Sequence, residues 1–261
     1  MIKAIFFDID GTLVCFKTHS IPLSAKTAIN QLKQKGIKVI IATGRAYCDI
    51  VNLEDLAFDG FIAANGAYCV DSKGEIIAKH QIAKESLEKL SHYLKEKPFP
   101  CSFVTEAGNF INYADELMLY LSNIVNIPPP PVKPVPEILE HDIFQIDAFI
   151  KIEQETELLS HVLTDCVACR WHPIFADFNP KECNKATGMD HFLTYFGIDR
   201  EHTMAFGDGG NDISMLQHAA IGVAMGNAKD DVKAAADYVT SSIDDDGIVN
   251  ALKYFNIIPA I

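Results

Sequence analysis

The stretch Ile2-Lys3-Ala4-Ile5-Phe6-Phe7-Asp8-Ile9-Asp10-Gly11-Thr12 decides how this chain is read. Its first six residues have the length and near-continuous apolarity of a strand buried on both faces, as in a parallel sheet. The strand discharges into two carboxylates one residue apart, followed at once by a turn. In open α/β sheets ligands bind in the crevice outside the carboxyl ends of the strands, so Asp8 and Asp10 stand where a site is expected. Two carboxylates this close oppose each other's ionisation unless a cation or strong donors neutralise them. A hard divalent ion, magnesium first, is the simplest neutralising partner. Asp and Gly present only for turn chemistry would also explain the segment taken by itself.

Outward from this strand the pattern alternates. Residues 22–35 read as a helix with Ala25, Ala28, Ile29 and Leu32 on one face and Gly36 as its stop. Residues 37–41 read as a second buried strand that ends in Ala42-Thr43-Gly44-Arg45. A helix over residues 47–56 and a third strand over 61–64, ending at Asn65-Gly66, follow. This βαβ succession predicts a doubly wound, Rossmann-like parallel sheet.

The middle of the chain differs. Residues 82–97 read as an amphipathic helix on Leu87, Leu90 and Leu94, and a stretch with prolines at 128–131, 134 and 136 reads as irregular. Residues 143–152 alternate like a strand, 154–163 like a helix, and 166–178 like one or two short strands. From about residue 180 the first pattern returns. A helix over 185–196 stops at Gly197, and a strand over 203–206 ends in Gly207-Asp208-Gly209-Gly210-Asn211-Asp212. Helices over 213–218 and 229–236 flank a strand over 221–224. The expected architecture is an α/β core built from residues 1–81 and 180–261, with an inserted α+β domain over 82–179. The site is expected between the two.

At 261 residues the chain can bury a sizeable core, and 49% hydrophobic with 22% charged residues describes a globular protein. A net charge of −13 argues against nucleic acid or an anionic membrane as partner, since both need basic surface. No run is long enough to span a membrane and no secretory signal is evident, so a cytoplasmic location is expected. Seven cysteines without a framework fit reduced thiols. Cys166 and Cys169 lack the second pair of a zinc site, and Cys15 and Cys48 lack a neighbouring base, so all four are read as packing.

Four strand ends or helix starts carry chemistry: Asp8 with Asp10; Thr43 with Gly44; Lys185; and Asp208, Asn211 and Asp212. Gathered at one sheet edge, they offer an acidic metal cradle beside a hydroxyl, an ammonium and backbone amides, a mixture suited to phosphoryl transfer. Each has a structural alternative: Thr43 and Asp212 as helix caps, Lys185 as a solvated lysine, and Asp244-Asp245-Asp246 as a cap of the last helix.

Taken in order, Phe7-Asp8-Ile9-Asp10-Gly11-Thr12, Ile41-Ala42-Thr43-Gly44-Arg45, Lys185 in Asn184-Lys185-Ala186-Thr187-Gly188, and Gly207-Asp208-Gly209-Gly210-Asn211-Asp212 resemble the four motifs of the haloacid dehalogenase superfamily. The insertion and Ala64-Asn65-Gly66-Ala67 resemble the Cof-type subfamily with its type IIB cap. Within that group bacterial hexose phosphate phosphatases look most similar. The resemblance implies that Asp8 is the nucleophile forming an aspartyl phosphate and that Asp10 is the general acid and base. It implies that Thr43, the Gly44 amide and Lys185 hold the phosphate, with Arg45 and Asn211 as further phosphate or substrate contacts. Magnesium would be bound by Asp8, the Asp10 carbonyl, Asp208 and Asp212.

The expected activity is magnesium-dependent hydrolysis of small phosphorylated metabolites, sugar phosphates first, with a mutase or phosphotransferase and a non-catalytic phosphosugar sensor as alternatives. A small phosphorylated metabolite is the expected partner. A monomer is expected, with a dimer left open. Asp177, Asn179 and His172 stand near the return to the core as candidate readers of the substrate.

Overall fold

The strands are β1 (Ala4–Phe7), β2 (Lys38–Ala42), β3 (Gly60–Ala63), β4 (Tyr68–Asp71), β5 (Ile76–Lys79), β6 (Cys101–Thr105), β7 (Gly108–Ile111), β8 (Ile143–Ala148), β9 (Cys166–His172), β10 (Phe175–Pro180), β11 (Thr203–Gly207), β12 (Ile221–Ala224) and β13 (Tyr238–Val239). They were obtained from a computed structural model that describes residues 1–51, 53, 56–125 and 127–259. Among these residues, eight strands form one sheet in the order β13-β12-β11-β1-β2-β3-β4-β5, and five form a second in the order β7-β6-β8-β10-β9.

β1 lies at the centre of the larger sheet because all four of its residues are buried and can be covered on both faces. It pairs in parallel with β11 and β2, placing Ala4 opposite Thr203 on one side and Lys38 on the other. Two apolar clusters sandwich the sheet. Phe7, Ile29 and Leu252 belong to one, and Phe6, Met189 and Phe192 to the other. This is the doubly wound parallel arrangement expected, extended at one edge by the antiparallel strands β4 and β5. The two strands of this hairpin are four residues each and carry no long apolar run that marks them in the sequence.

The smaller sheet is antiparallel throughout. One face packs Phe103, Ile146, Ala148 and Phe178 against the helices Lys84–Glu96 and Ile152–His161, whose Leu87, Leu90 and Leu158 complete a separate core. Because side chains alternate across a strand, the intervening Ser102, Gln145, Asp147, Asp177 and Asn179 all turn to the opposite face. None of the helices among the described residues is long and apolar enough to cross a membrane.

Several expectations are corrected. In place of a helix over 47–56 there is a single 3-10 turn, Tyr47–Asp49, and Asn52, Glu54 and Asp55 lie outside the described residues. Arg45 Nη1 takes the Asp49 and Val51 carbonyls, acceptors a helix would have used. The segment read as irregular contains the β6-β7 hairpin and the helix Glu116–Val125. Asp246 enters the last helix, Gly247–Tyr254, in a left-handed conformation with no side-chain cap, and Asp244 accepts from Lys17 and Cys15 instead. Cys48 is exposed, not packed.

Candidate active site

Asp8 extends β1 by one rung, its N–H donating to the Phe206 carbonyl of β11 at 3.0 Å. That shared ladder brings the loop after β11 beside it. Asp8, Asp208 and Asp212 each present a carboxylate oxygen within 4.8 Å of the other two. Lys185 reaches them from the first position of the helix Lys185–Phe196. Its Nζ donates to Asp8 Oδ1 and to Asp212 Oδ1, both at 2.6 Å, and the residue is 0% exposed. Asn184 sets that helix start through a capping box: its side chain accepts from the Ala186 and Thr187 amides, and the Thr187 hydroxyl accepts from its own amide. Lys185 is therefore neither a surface lysine nor free to wander.

Asp212 does not cap the helix behind it. Its Oδ2 accepts the Asp208 and Gly209 amides at 2.9 and 2.8 Å, closing the loop on itself, while Oδ1 holds Lys185. Asp208 is fixed from both sides, by the Thr12 hydroxyl at 2.9 Å and the Asn227 amide at 3.2 Å. Gly11, at φ +86°, lies so close beneath that carboxylate that a Cβ would collide with it. The turn after β1 thus needs glycine for its backbone conformation and for the approach of Asp208.

Three carboxylates and one ammonium leave a formal charge of −2 in this cluster. Burial first, then Asp212, pushes the Asp8 carboxyl well above the usual range, against the pull of Lys185. Burial and Asp212 likewise push Asp208 up to about 7. Burial works against the Lys185 ammonium, but Asp212 and Asp8 outweigh it and hold its pKa above that of a free lysine. Hard oxygen donors with this charge fit a divalent cation such as magnesium. Both oxygens of Asp212 and both of Asp208 accept hydrogen bonds, while Asp8 takes the Lys185 ammonium on Oδ1.

Asp10 is held apart from this cluster. Arg45 grips it with both arms of its guanidinium, Nε to Oδ2 at 2.8 Å and Nη2 to Oδ1 at 2.6 Å. The partner of Arg45 is thus a protein carboxylate. Thr43 is buried at the end of β2, its Oγ1 accepting the Arg45 amide at 3.1 Å. Asn211 donates to Asn65 Oδ1 at 2.9 Å.

Asn65 is the residue that motif reasoning about the site missed. It adopts φ 51°, accepts from Asn211, and shares its amide protons among Gln145, Asp177 and Asn179 at 3.1–3.2 Å. Gln145 in turn donates to the Gly44 carbonyl at 2.8 Å. The polar face of the smaller sheet is thereby bolted to the loops of the larger one. An Asn-Gly pair directly after a strand was the available signal, since asparagine tolerates the left-handed region.

Between the sheets lies a cavity of about 440 Å³. Asp8, Asp10, Thr43, Arg45, Asp208 and Asn211 line one side, with Ser102, Gln145, Asp147 and Asp177 across from them. Asp177 lines the cavity. Asn179 sits in the Asn65 network, and His172 stands against Tyr120, outside the lining.

Comparison with known proteins agrees over almost the whole length. A family model described as haloacid dehalogenase-like hydrolase matches residues 5–252. The candidate phosphatase YkrA of Bacillus subtilis (strain 168) is 32% identical over 258 residues, covering 98% of each chain. Among solved structures, the subclass IIB sugar phosphatase BT4131 superposes with a TM-score of 0.92 at 45% identity, over 98% of this chain and 100% of that one. The phosphatase BT1666 from Bacteroides thetaiotaomicron gives 0.91 at 39% identity, over 99% and 96%.

Proposed function

The chain belongs to the haloacid dehalogenase-like hydrolases, and from that premise we propose that it is a magnesium-dependent phosphatase of small phosphorylated metabolites, sugar phosphates foremost. The observation that carries this reading is the junction of Asp8 with the fully buried Lys185 at the floor of a cavity large enough for a sugar ring. The BT4131 name and the polar face opposite support a sugar as leaving group.

In this reading Asp8 attacks phosphorus with its carboxylate; the new O–P bond forms as the ester P–O bond breaks, and the proton on Asp10 goes to the departing alkoxide. Asp10 then takes a proton from the water that attacks the aspartyl phosphate, releasing inorganic phosphate and restoring Asp8. Arg45 takes one lone pair on each Asp10 oxygen, leaving a second on each for the transferred proton. Lys185 offsets negative charge on Asp8 and the phosphoryl oxygens. Thr43 and the Gly44 amide hold phosphate, with Asn211 beside them. Magnesium, held by Asp8, Asp208, the Asp10 carbonyl and Asp212 directly or through water, would supply further charge neutralisation. Residues 82–179 act as the part that closes over the leaving group and reads it.

A phosphate-release screen over sugar phosphates, nucleotides and phosphopeptides, with and without magnesium, tests this. Release from sugar phosphates that requires magnesium and vanishes in Asp8→Asn is expected. Equal release by the variant would overturn the assignment of the nucleophile.

A further inference from the structure

The far wall of the cavity carries an arrangement the phosphoryl chemistry does not need. In the smaller sheet Ser102 stands directly opposite Asp147, and Asp147 directly opposite Asp177. Like charges facing each other across an antiparallel pair are destabilising, and burial pushes both carboxyls up, Asp147 to about 6 and Asp177 well above the usual range. A third acid, Asp49, joins them from the turn after β2. The partners of all three are neutral donors: the Ser102 hydroxyl on Asp147 at 2.9 Å, the Gln145 amide on Asp147 at 2.6 Å, the Asn65 amide on Asp177 at 3.2 Å and the Asn109 amide on Asp49 at 3.0 Å. Asn109 Oδ1, also buried in this wall, is an acceptor without a partner.

Three of the four cations at or near the cavity are held by other carboxylates. Arg45 is on Asp10, and Arg170 is on Glu155 and the Ile150, His172 and Pro173 carbonyls. Lys185 is enclosed by Asp8 and Asp212, and Lys229, exposed at the start of the helix Asp230–Ala235, lines the cavity. Among the described residues none forms an ion pair with Asp49, Asp147 or Asp177. The remaining wall is apolar, with Met118, Leu121 and the edge-to-face pair Phe149 and Phe175.

We propose that Asp49, Asp147 and Asp177 form the leaving-group subsite, built for a hydroxyl-rich leaving group that is neutral or bears an ammonium, and closed to one that bears a second anion. This rests on the phosphatase reading of the same cavity. Hydroxyl and ammonium protons find acceptors there, and ring C–H faces find the phenyl rings. A carboxylate or second phosphate directed at this wall meets like charge, and the described cations lining the cavity, Arg45, Arg170 and Lys229, form no ion pair with these three acids.

The test is kcat/KM of the full chain with magnesium for four esters: p-nitrophenyl phosphate, a hexose 6-phosphate, its 2-amino analogue and the corresponding hexonate 6-phosphate. The amino sugar is expected within about ten-fold of the hexose, and the hexonate at least about ten-fold below it. Asp147→Asn and Asp177→Asn are expected to raise the hexonate-to-hexose ratio several-fold. A wild-type ratio of one or more, or a ratio unchanged in both variants, overturns the proposal. The wild-type series decides it even if the variants do not fold. Absence of release from p-nitrophenyl phosphate would instead overturn the phosphatase reading beneath it.

Discussion

The two walls of the cavity put acidic residues to opposite uses. On the larger sheet the carboxylates sit at strand ends, in loops, and three of them are locked by charge, with Lys185 between Asp8 and Asp212 and Arg45 across Asp10, while Asp208 is held by the Thr12 hydroxyl and the Asn227 amide. On the smaller sheet they sit mid-strand, side by side, and are held by hydroxyl and amide donors only. In the proposed function the first arrangement fixes groups that meet a phosphoryl centre in one geometry. The second leaves acceptor capacity for a leaving group. The contrast teaches that acidic residues announce a chemistry only together with what neutralises them.

Breaking the first wall should have the largest effect. Asp8→Asn keeps the shape but removes the proposed nucleophile, and is expected to lower kcat by roughly 10⁴-fold or more with an unchanged circular dichroism spectrum. Lys185→Met leaves Asp8 and Asp212 buried without their cation, and should cost about 3–5 kcal/mol in metal-free urea unfolding. Gln145→Ala removes the donor that ties the smaller sheet to the Gly44 carbonyl, and should cost only about 1–3 kcal/mol in the same assay.

The smallest effect is a pH dependence. Asp208 holds its proton up to about 7 in the folded protein against an ordinary value of 3.8. Its contribution to metal-free stability is thus fully present below about pH 4 and is lost as pH rises through about 7. Magnesium, by favouring the ionised form, should raise Tm by a few degrees more at about pH 8 than at about pH 5.5. A magnesium effect that is larger at the lower pH would contradict this electrostatic account.

The first wall was legible in the sequence because its residues follow buried strands, and each strand end delivers a group to one edge. Asp8, Thr43 and Asp208 reach the cavity for that reason, while Lys185 comes from the first position of a helix and meets Asp8. The second wall was legible only in outline. Gln145 and Asp147 sit in a stretch whose alternation marked a strand, but alternation alone does not say whether its polar face meets water or a cavity. The helix proposed over 47–56 failed because Arg45, outside that segment, takes its carbonyls, a tertiary competition with no local signature. Asn65 escaped because its importance lies in three partners more than 70 residues away in sequence.

The central claim, that Asp8 carries the phosphoryl group, is tested most directly by acid-quenched mass spectrometry of Asp10→Asn with p-nitrophenyl phosphate and magnesium. That leaving group departs without a proton, whereas hydrolysis of the intermediate still needs the base, so the intermediate should accumulate. One phosphoryl group on the peptide containing Asp8, lost on base treatment, is the predicted result. A phosphorylated peptide elsewhere, or turnover with water directly replacing the leaving group and no covalent adduct, would contradict the account.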